Sequence, residues 1–222
     1  MENSQIIAFC RKICYNLTMN GSKDATRYTA GLTGEIFLFN ESRTLAGFLA
    51  QGEDPDALRA RNLTENLIMY KKDSSLKRVS PPIFRRLATM STGALKIFVS
   101  ADLESSRILL LVAIAKTDRL VRDFMLTIYA DKIALKASKI EKSDIERYFE
   151  SVYAEEPLLR DKSDATKMKL KQQLMKNMVE AGLVKKQADS FVVTRPNVTT
   201  RLANQLTADG DTEYLKALGG VS

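Results

Sequence analysis

A chain of 222 residues, 45% hydrophobic and 27% charged, has the composition of an ordered globular protein of one domain or two small ones. It contains no histidine, which removes the commonest general base, nucleophile partner and metal ligand and leaves most hydrolase mechanisms hard to build. The net charge of +7 is uneven: residues 61–100 carry eight basic side chains against two acidic, residues 161–222 ten against seven, and the two remaining stretches are slightly acidic. Concentrated positive charge attracts phosphates, whereas diffuse charge mainly confers solubility.

Ten Gly and five Pro leave long stretches of helix-forming residues, so the expected fold is mainly all-α. Residues 5–17 place Ile6, Cys10, Ile13, Cys14 and Leu17 at helical spacing. Cys10 and Cys14 would stack on one helix face, a spacing that suits buried thiols rather than a zinc clip or a local disulfide. With the loop that follows, residues 1–27 read as an N-terminal helical appendage, and the lack of a small-residue cleavage pattern predicts a cytoplasmic protein.

From Thr33, the pattern Ile36, Phe37, Phe39, Leu45, Phe48, Leu49 predicts a long buried helix stopped near Gly52. Asp54-Pro55 starts another, with Asp as cap and Pro at the first helical position, carrying Leu58, Leu63, Leu67 and Ile68. Pro81-Pro82 predicts an interruption, with helical spacing resuming through Ile83, Phe84, Leu87 and Met90 until Gly93. Ser100 or Asp102 is placed to cap a helix over Leu103 to Ala115. Thr117 is placed to cap the next, marked by Leu120, Phe124 and Ile128. The apolar run from Ile108 to Ala115 is far shorter than the roughly 20 residues that cross a bilayer, so no membrane role is expected. Residues 28–136 thus form one expected helical domain.

Residues 137–195 read as a smaller helical unit. Lys136 to Lys142 is a polar connector, and Ser143-Asp144-Ile145-Glu146 has the form of a capping box. Ile145, Tyr148, Phe149, Val152 and Tyr153 then mark a strongly amphipathic helix. Ser163 caps a further helix to Ala181, Gly182 ends it, and Leu183 to Thr194 reads as one short β-hairpin. A helix, a glycine stop and a hairpin in that order resemble the last part of a winged helix. Residues 196–222 should be a helix opened by Pro196 and a tail that frays at Gly219-Gly220.

The sharpest local feature is the run Lys71, Lys72, Ser75, Lys77, Arg78 followed by Arg85 and Arg86, six cations against one acid across residues 71–86. Lys and Arg gain affinity by releasing condensed counterions from phosphates, and Ser hydroxyls add hydrogen bonds without sequence preference. A solvated turn between two helices is the competing reading. On the 164–181 helix, Lys169, Gln173 and Lys176 form a polar stripe at recognition-helix spacing, and Lys185 and Lys186 sit in the hairpin where a wing rests on a phosphate backbone. An exposed helix in a Lys-rich protein would look the same. Gly31-Leu32-Thr33-Gly34 lacks the Lys-Ser/Thr of a phosphate-binding loop, Asp209 to Glu213 lacks the calcium-loop spacing, and Glu155-Glu156 reads as a helix-start pair. No motif predicts a catalytic site, a metal or a cofactor.

In order, Tyr28-Thr29-Ala30-Gly31-Leu32 leads to Glu35 and Glu41, then Glu65-Asn66-Leu67, then Ser75-Leu76-Lys77-Arg78 with Arg85-Arg86-Leu87, and finally Val179-Glu180-Ala181-Gly182-Leu183. This pattern resembles the BrxA family, small accessory proteins of BREX bacteriophage-exclusion systems, over roughly residues 28–195. The resemblance implies an N-terminal part like the antitermination factor NusB, affinity for double-stranded DNA and no catalytic centre. The family's basic Ser/Thr-x-Lys/Arg-Arg segment falls on Ser75, Lys77 and Arg78. Expected partners are the ATPase, methyltransferase and phosphatase-like protein of the same system, with no small-molecule substrate. The competing function is a protein-interaction scaffold whose basic surface binds an acidic partner or RNA.

Overall fold

In the computed structural model, residues 27–220 are described; the expected 5–17 helix with Cys10 and Cys14 lies outside them. Gly31–Gly34 forms a 3-10 turn that buries Leu32, and Leu38, in the left-handed region at φ 57°, turns the chain into α1, Phe39–Ala50. The expected helix from Thr33 therefore starts later: Ile36 and Phe37 precede it, Ile36 facing solvent and Phe37 buried. Gly52, at φ 93°, lies just beyond its end as expected. In α2, Pro55–Glu65, the Asp54 carboxylate accepts from the N–H groups of Asp56 and Ala57 at 3.0 and 2.9 Å. Leu63 faces solvent, contrary to its periodicity.

Helix α3, Asp73–Leu87, runs straight through Pro81 and Pro82, where an interruption is expected. Two prolines inside a helix remove two backbone donors, at a cost of about 3 kcal/mol or more each. Burial of Leu76, Val79, Ile83, Phe84 and Leu87, with packing on α1 and α2, offsets that loss. After α4, Thr92–Ser100, comes α5, Leu103–Thr117, capped by Asp102 and buried all round from Ile108 to Ala115 as the central helix of the core. Asp118, rather than Thr117, caps α6, Arg119–Phe124, because the Thr117 hydroxyl is spent on the carbonyls of Ala113 and Ile114. A π-helical turn, Met125–Tyr129, continues α6 into α7, Ala130–Ala134.

The connector after α7 contains a strand, β1, Lys139–Glu141, and leads into α8, Lys142–Glu155. The capping box sits two residues earlier than expected: Glu141 is the cap, and the Asp144 carboxylate accepts its N–H at 2.9 Å. A short α9, Pro157–Arg160, precedes α10, Asp164–Glu180, capped by Ser163 and followed by Gly182 in the left-handed region. Strands β2, Val184–Gln187, and β3, Ser190–Val193, form the expected hairpin, and β1 adds to β3 to give an antiparallel sheet of order β1-β3-β2. Strand, three helices of which the middle one is a single turn, then two strands with that pairing resembles the arrangement of a winged helix.

Thr199, not Pro196, caps α11, Thr200–Ala208. A second short helix, α12, Thr212–Ala217, follows it before Gly219-Gly220 and buries Tyr214 and Leu215, with Leu218 just beyond. One buried cluster runs from Tyr28 to Leu218 across residues 136–143. There, Tyr148 of α8 stacks edge-on against Phe124 of α6 at 5.2 Å and donates its hydroxyl hydrogen to the Leu120 carbonyl at 2.7 Å. The fold is thus mainly helical with one small sheet, and no helix among the described residues is long and apolar enough to cross a membrane.

Candidate nucleic-acid interface

Helix α10 sets the geometry of the first surface. Leu170, Leu174, Met175 and Met178 are buried, and α10 packs on the 3-10 turn and on β2. On the flank toward α8, Lys171 bonds to Glu146 and Lys167 lies over the Tyr153 ring. What remains exposed is Asp164, Ala165, Met168, Lys169, Gln172 and Lys176, which at 100° per residue form one stripe about 140° wide. The expected stripe is corrected at one position: Gln173 is buried and donates to Asn177 Oδ1 at 3.3 Å, whereas Gln172 faces out. Its phase was misread because Met168, which looks like core, is 59% exposed.

Lys169 carries no ion pair with a described residue, while Lys176 is 3.6 Å from Glu180 at the surface. In the hairpin, Lys185 and Lys186 are both exposed and on opposite faces of β2. Lys185 and Lys139 of β1 both register opposite Val192, so two lysines sit about 10 Å apart across the outer face of the sheet. Lys139 was missed in the sequence because nothing there marks its segment as a strand.

The second surface is the start of α3. Lys71, Lys72, Lys77 and Arg78 are exposed without an ion pair to a described residue, and Ser75 is half-buried among them. The segment is therefore not a turn: Lys72 is the helix cap residue, and its side chain caps no N–H. The preceding loop is fixed by Asn66, whose side chain donates to the Tyr70 carbonyl at 2.7 Å and accepts its N–H at 2.8 Å.

Arg85 and Arg86 leave this surface. Arg86 is fully buried, donating to the carbonyls of Ile36 at 2.8 Å and Phe37 at 3.3 Å and to Glu35 Oε2 at 3.2 Å. Burial pulls its guanidinium down to about 10 against the charge of Glu35, so it stays protonated at neutral pH. Arg85 is held by both Glu35 oxygens at 2.5 and 2.6 Å. These two arginines tie α3 to the segment before α1, and assigning Arg86 to a phosphate is corrected by its burial. Among the described residues, no group of three or more Cys, Asp or Glu side chains is arranged to hold a metal.

A family model described as BrxA matches residues 26–210. The chain belongs to the BrxA family. It is 25% identical over 193 residues to the BREX protein BrxA of Bacillus cereus (strain H3081.97), covering 87% of this chain and 96% of that protein. The BREX protein BrxA of Escherichia coli O9:H4 (strain HS) is 24% identical over 162 residues, 73% of this chain and 76% of that one. A crystal structure of an uncharacterized protein from Magnetospirillum magneticum shares the fold, with a TM-score of 0.72 at 21% identity over 86% of this chain and 98% of that chain. The BrxA match spans both basic surfaces, whereas α12 lies beyond it.

Proposed function

We propose that this BrxA-family chain is a non-enzymatic, cytoplasmic, DNA-binding component of a BREX system, acting beside the system's other proteins. Duplex phosphates are held by Lys169 and Lys176 on α10, by Lys185 and Lys186 on the wing, and by Lys71, Lys72, Ser75, Lys77 and Arg78 at the start of α3. The observation that carries this reading is the winged-helix-like arrangement, which leaves one face of α10 exposed, with Lys169 and Lys176 along one edge of it and Lys185 and Lys186 exposed in the hairpin that follows. A helix of that kind fits a major groove, and its flanking cations meet the phosphate walls. The acids at its start, Asp161 and Asp164, each sit beside a cation, Arg160 at 3.2 Å and Lys167 at 3.8 Å. At low salt, the purified protein should shift duplexes of any sequence, since phosphate contacts need no particular base.

The second reading is a scaffold for an acidic protein partner, favoured by Met69. This side chain is 87% exposed beside a concavity of about 540 Å³ lined by Ile68, Tyr70, Lys71 and Lys72. A protein that fails to shift duplex DNA at low salt, yet is retained by its BREX partners, would replace the first reading with the second.

A further inference from the structure

We propose that the exposed stripe of α10 reads base edges, Gln172 taking an adenine and Met168 the methyl group of a thymine; this rests on the DNA-binding reading above. Of the two neighbouring glutamines, Gln173 is turned inward and donates to Asn177, whereas Gln172 is exposed and makes no hydrogen bond to a described residue. Its amide is free to donate to adenine N7 and accept from the N6 amino group, the two-point contact by which glutamine distinguishes adenine in a major groove.

Met168 supplies the apolar half. Met175 and Met178 on the same helix are at most 3% exposed, but Met168 is 59% exposed, one turn before Gln172. An apolar side chain on a groove-facing stripe meets a thymine methyl group favourably and offers nothing to the polar edge of a G·C pair. Four residues of helix rise roughly 6 Å, and base pairs stack about 3.4 Å apart, so the two side chains reach pairs one or two steps apart. Lys169 and Lys176 lie together at one edge of the same arc and have the reach to grip the phosphates beside the read bases. The site therefore takes duplex DNA with A·T pairs facing α10.

The test is selection from a random duplex pool by the full chain, followed by anisotropy titration of the selected duplex. The parent should enrich A·T pairs. Replacing the read adenine by 7-deazaadenine should weaken the parent roughly 5- to 100-fold and leave Gln172→Ala indifferent. Replacing the thymine by deoxyuridine should weaken the parent but not Met168→Ala. Lys169→Ala should instead weaken all duplexes alike. A parent that binds duplexes without preference, or a preference that survives Gln172→Ala and Met168→Ala, overturns this inference while leaving DNA binding intact. No binding to any duplex removes both.

Discussion

Replacing Arg86 by alanine should be among the most destabilising single changes available in this fold. Its guanidinium is inaccessible to solvent and satisfies three acceptors, the carbonyls of Ile36 and Phe37 and the Glu35 carboxylate. Truncating one member of a buried ion pair costs about 3–5 kcal/mol because the partner groups stay behind without compensation. Arg85 still neutralises Glu35 from the partly exposed side, which places the expected loss near about 3 kcal/mol. In a chain of this length, such a loss lowers the midpoint of thermal unfolding by roughly 6–12 °C. Urea denaturation followed by far-UV circular dichroism reads the change directly. A loss below about 1 kcal/mol would mean that Arg86 reaches solvent, and would return it to the set of phosphate-binding candidates.

Asp118 tests the same region by pH. Burial raises its carboxyl from the ordinary range to about 6, so the folded state binds a proton that the unfolded state has released, and its contribution to stability falls as pH rises from about 4 to 6. Asp118→Asn keeps an acceptor for the Leu120 and Val121 N–H groups and removes the charge. It should be more stable than the parent at pH 7, with the gap closing near pH 4; a gap that does not change with pH contradicts the assignment. Asn66 sits at φ 53° with two hydrogen bonds to Tyr70, so Asn66→Ala should cost about 2–3 kcal/mol and Asn66→Gly, which tolerates the backbone angle, distinctly less in the same urea assay. Phe124→Ala and Phe149→Ala each empty a fully buried ring site and should each cost about 3–5 kcal/mol, measured by thermal unfolding.

Features set by neighbours in the chain were legible in the sequence. Asp54-Pro55, Asp102 and Ser163 cap the helices expected of them, because a cap needs only a side-chain oxygen two or three residues before its N–H. The hairpin and its glycine stop were legible for the same reason. Features set by distant partners were not. Pro81-Pro82 breaks a helix by local rules, yet α3 continues through it because its other side packs on α1 and α2. Strand β1 is a Lys-Ile-Glu tripeptide whose only signal is Ile140 and whose partner lies some fifty residues ahead. At the site, the exposed lysines followed from charge alone, but the inward turn of Arg85 and Arg86 depends on Glu35, fifty residues earlier. The exchange of Gln172 for Gln173 on the outer face turned on one solvent-facing methionine.

The most direct test of DNA binding through these two surfaces is the salt dependence of affinity for a fixed duplex, measured by fluorescence anisotropy. The parent is compared with Lys77→Ala/Arg78→Ala, with Lys169→Ala/Lys185→Ala and, as a control, with Arg85→Ala, whose side chain is spent on Glu35. Log affinity of the parent should fall linearly with log salt. Each lysine or arginine that contacts a phosphate should reduce the steepness of that line by roughly 0.9 when removed, and Arg85→Ala should leave it unchanged. Exposed charges contribute little to folding, so the two surface variants should keep the parent's unfolding midpoint. Well-folded variants of both surfaces that bind as tightly as the parent, with the same slope, would contradict the account.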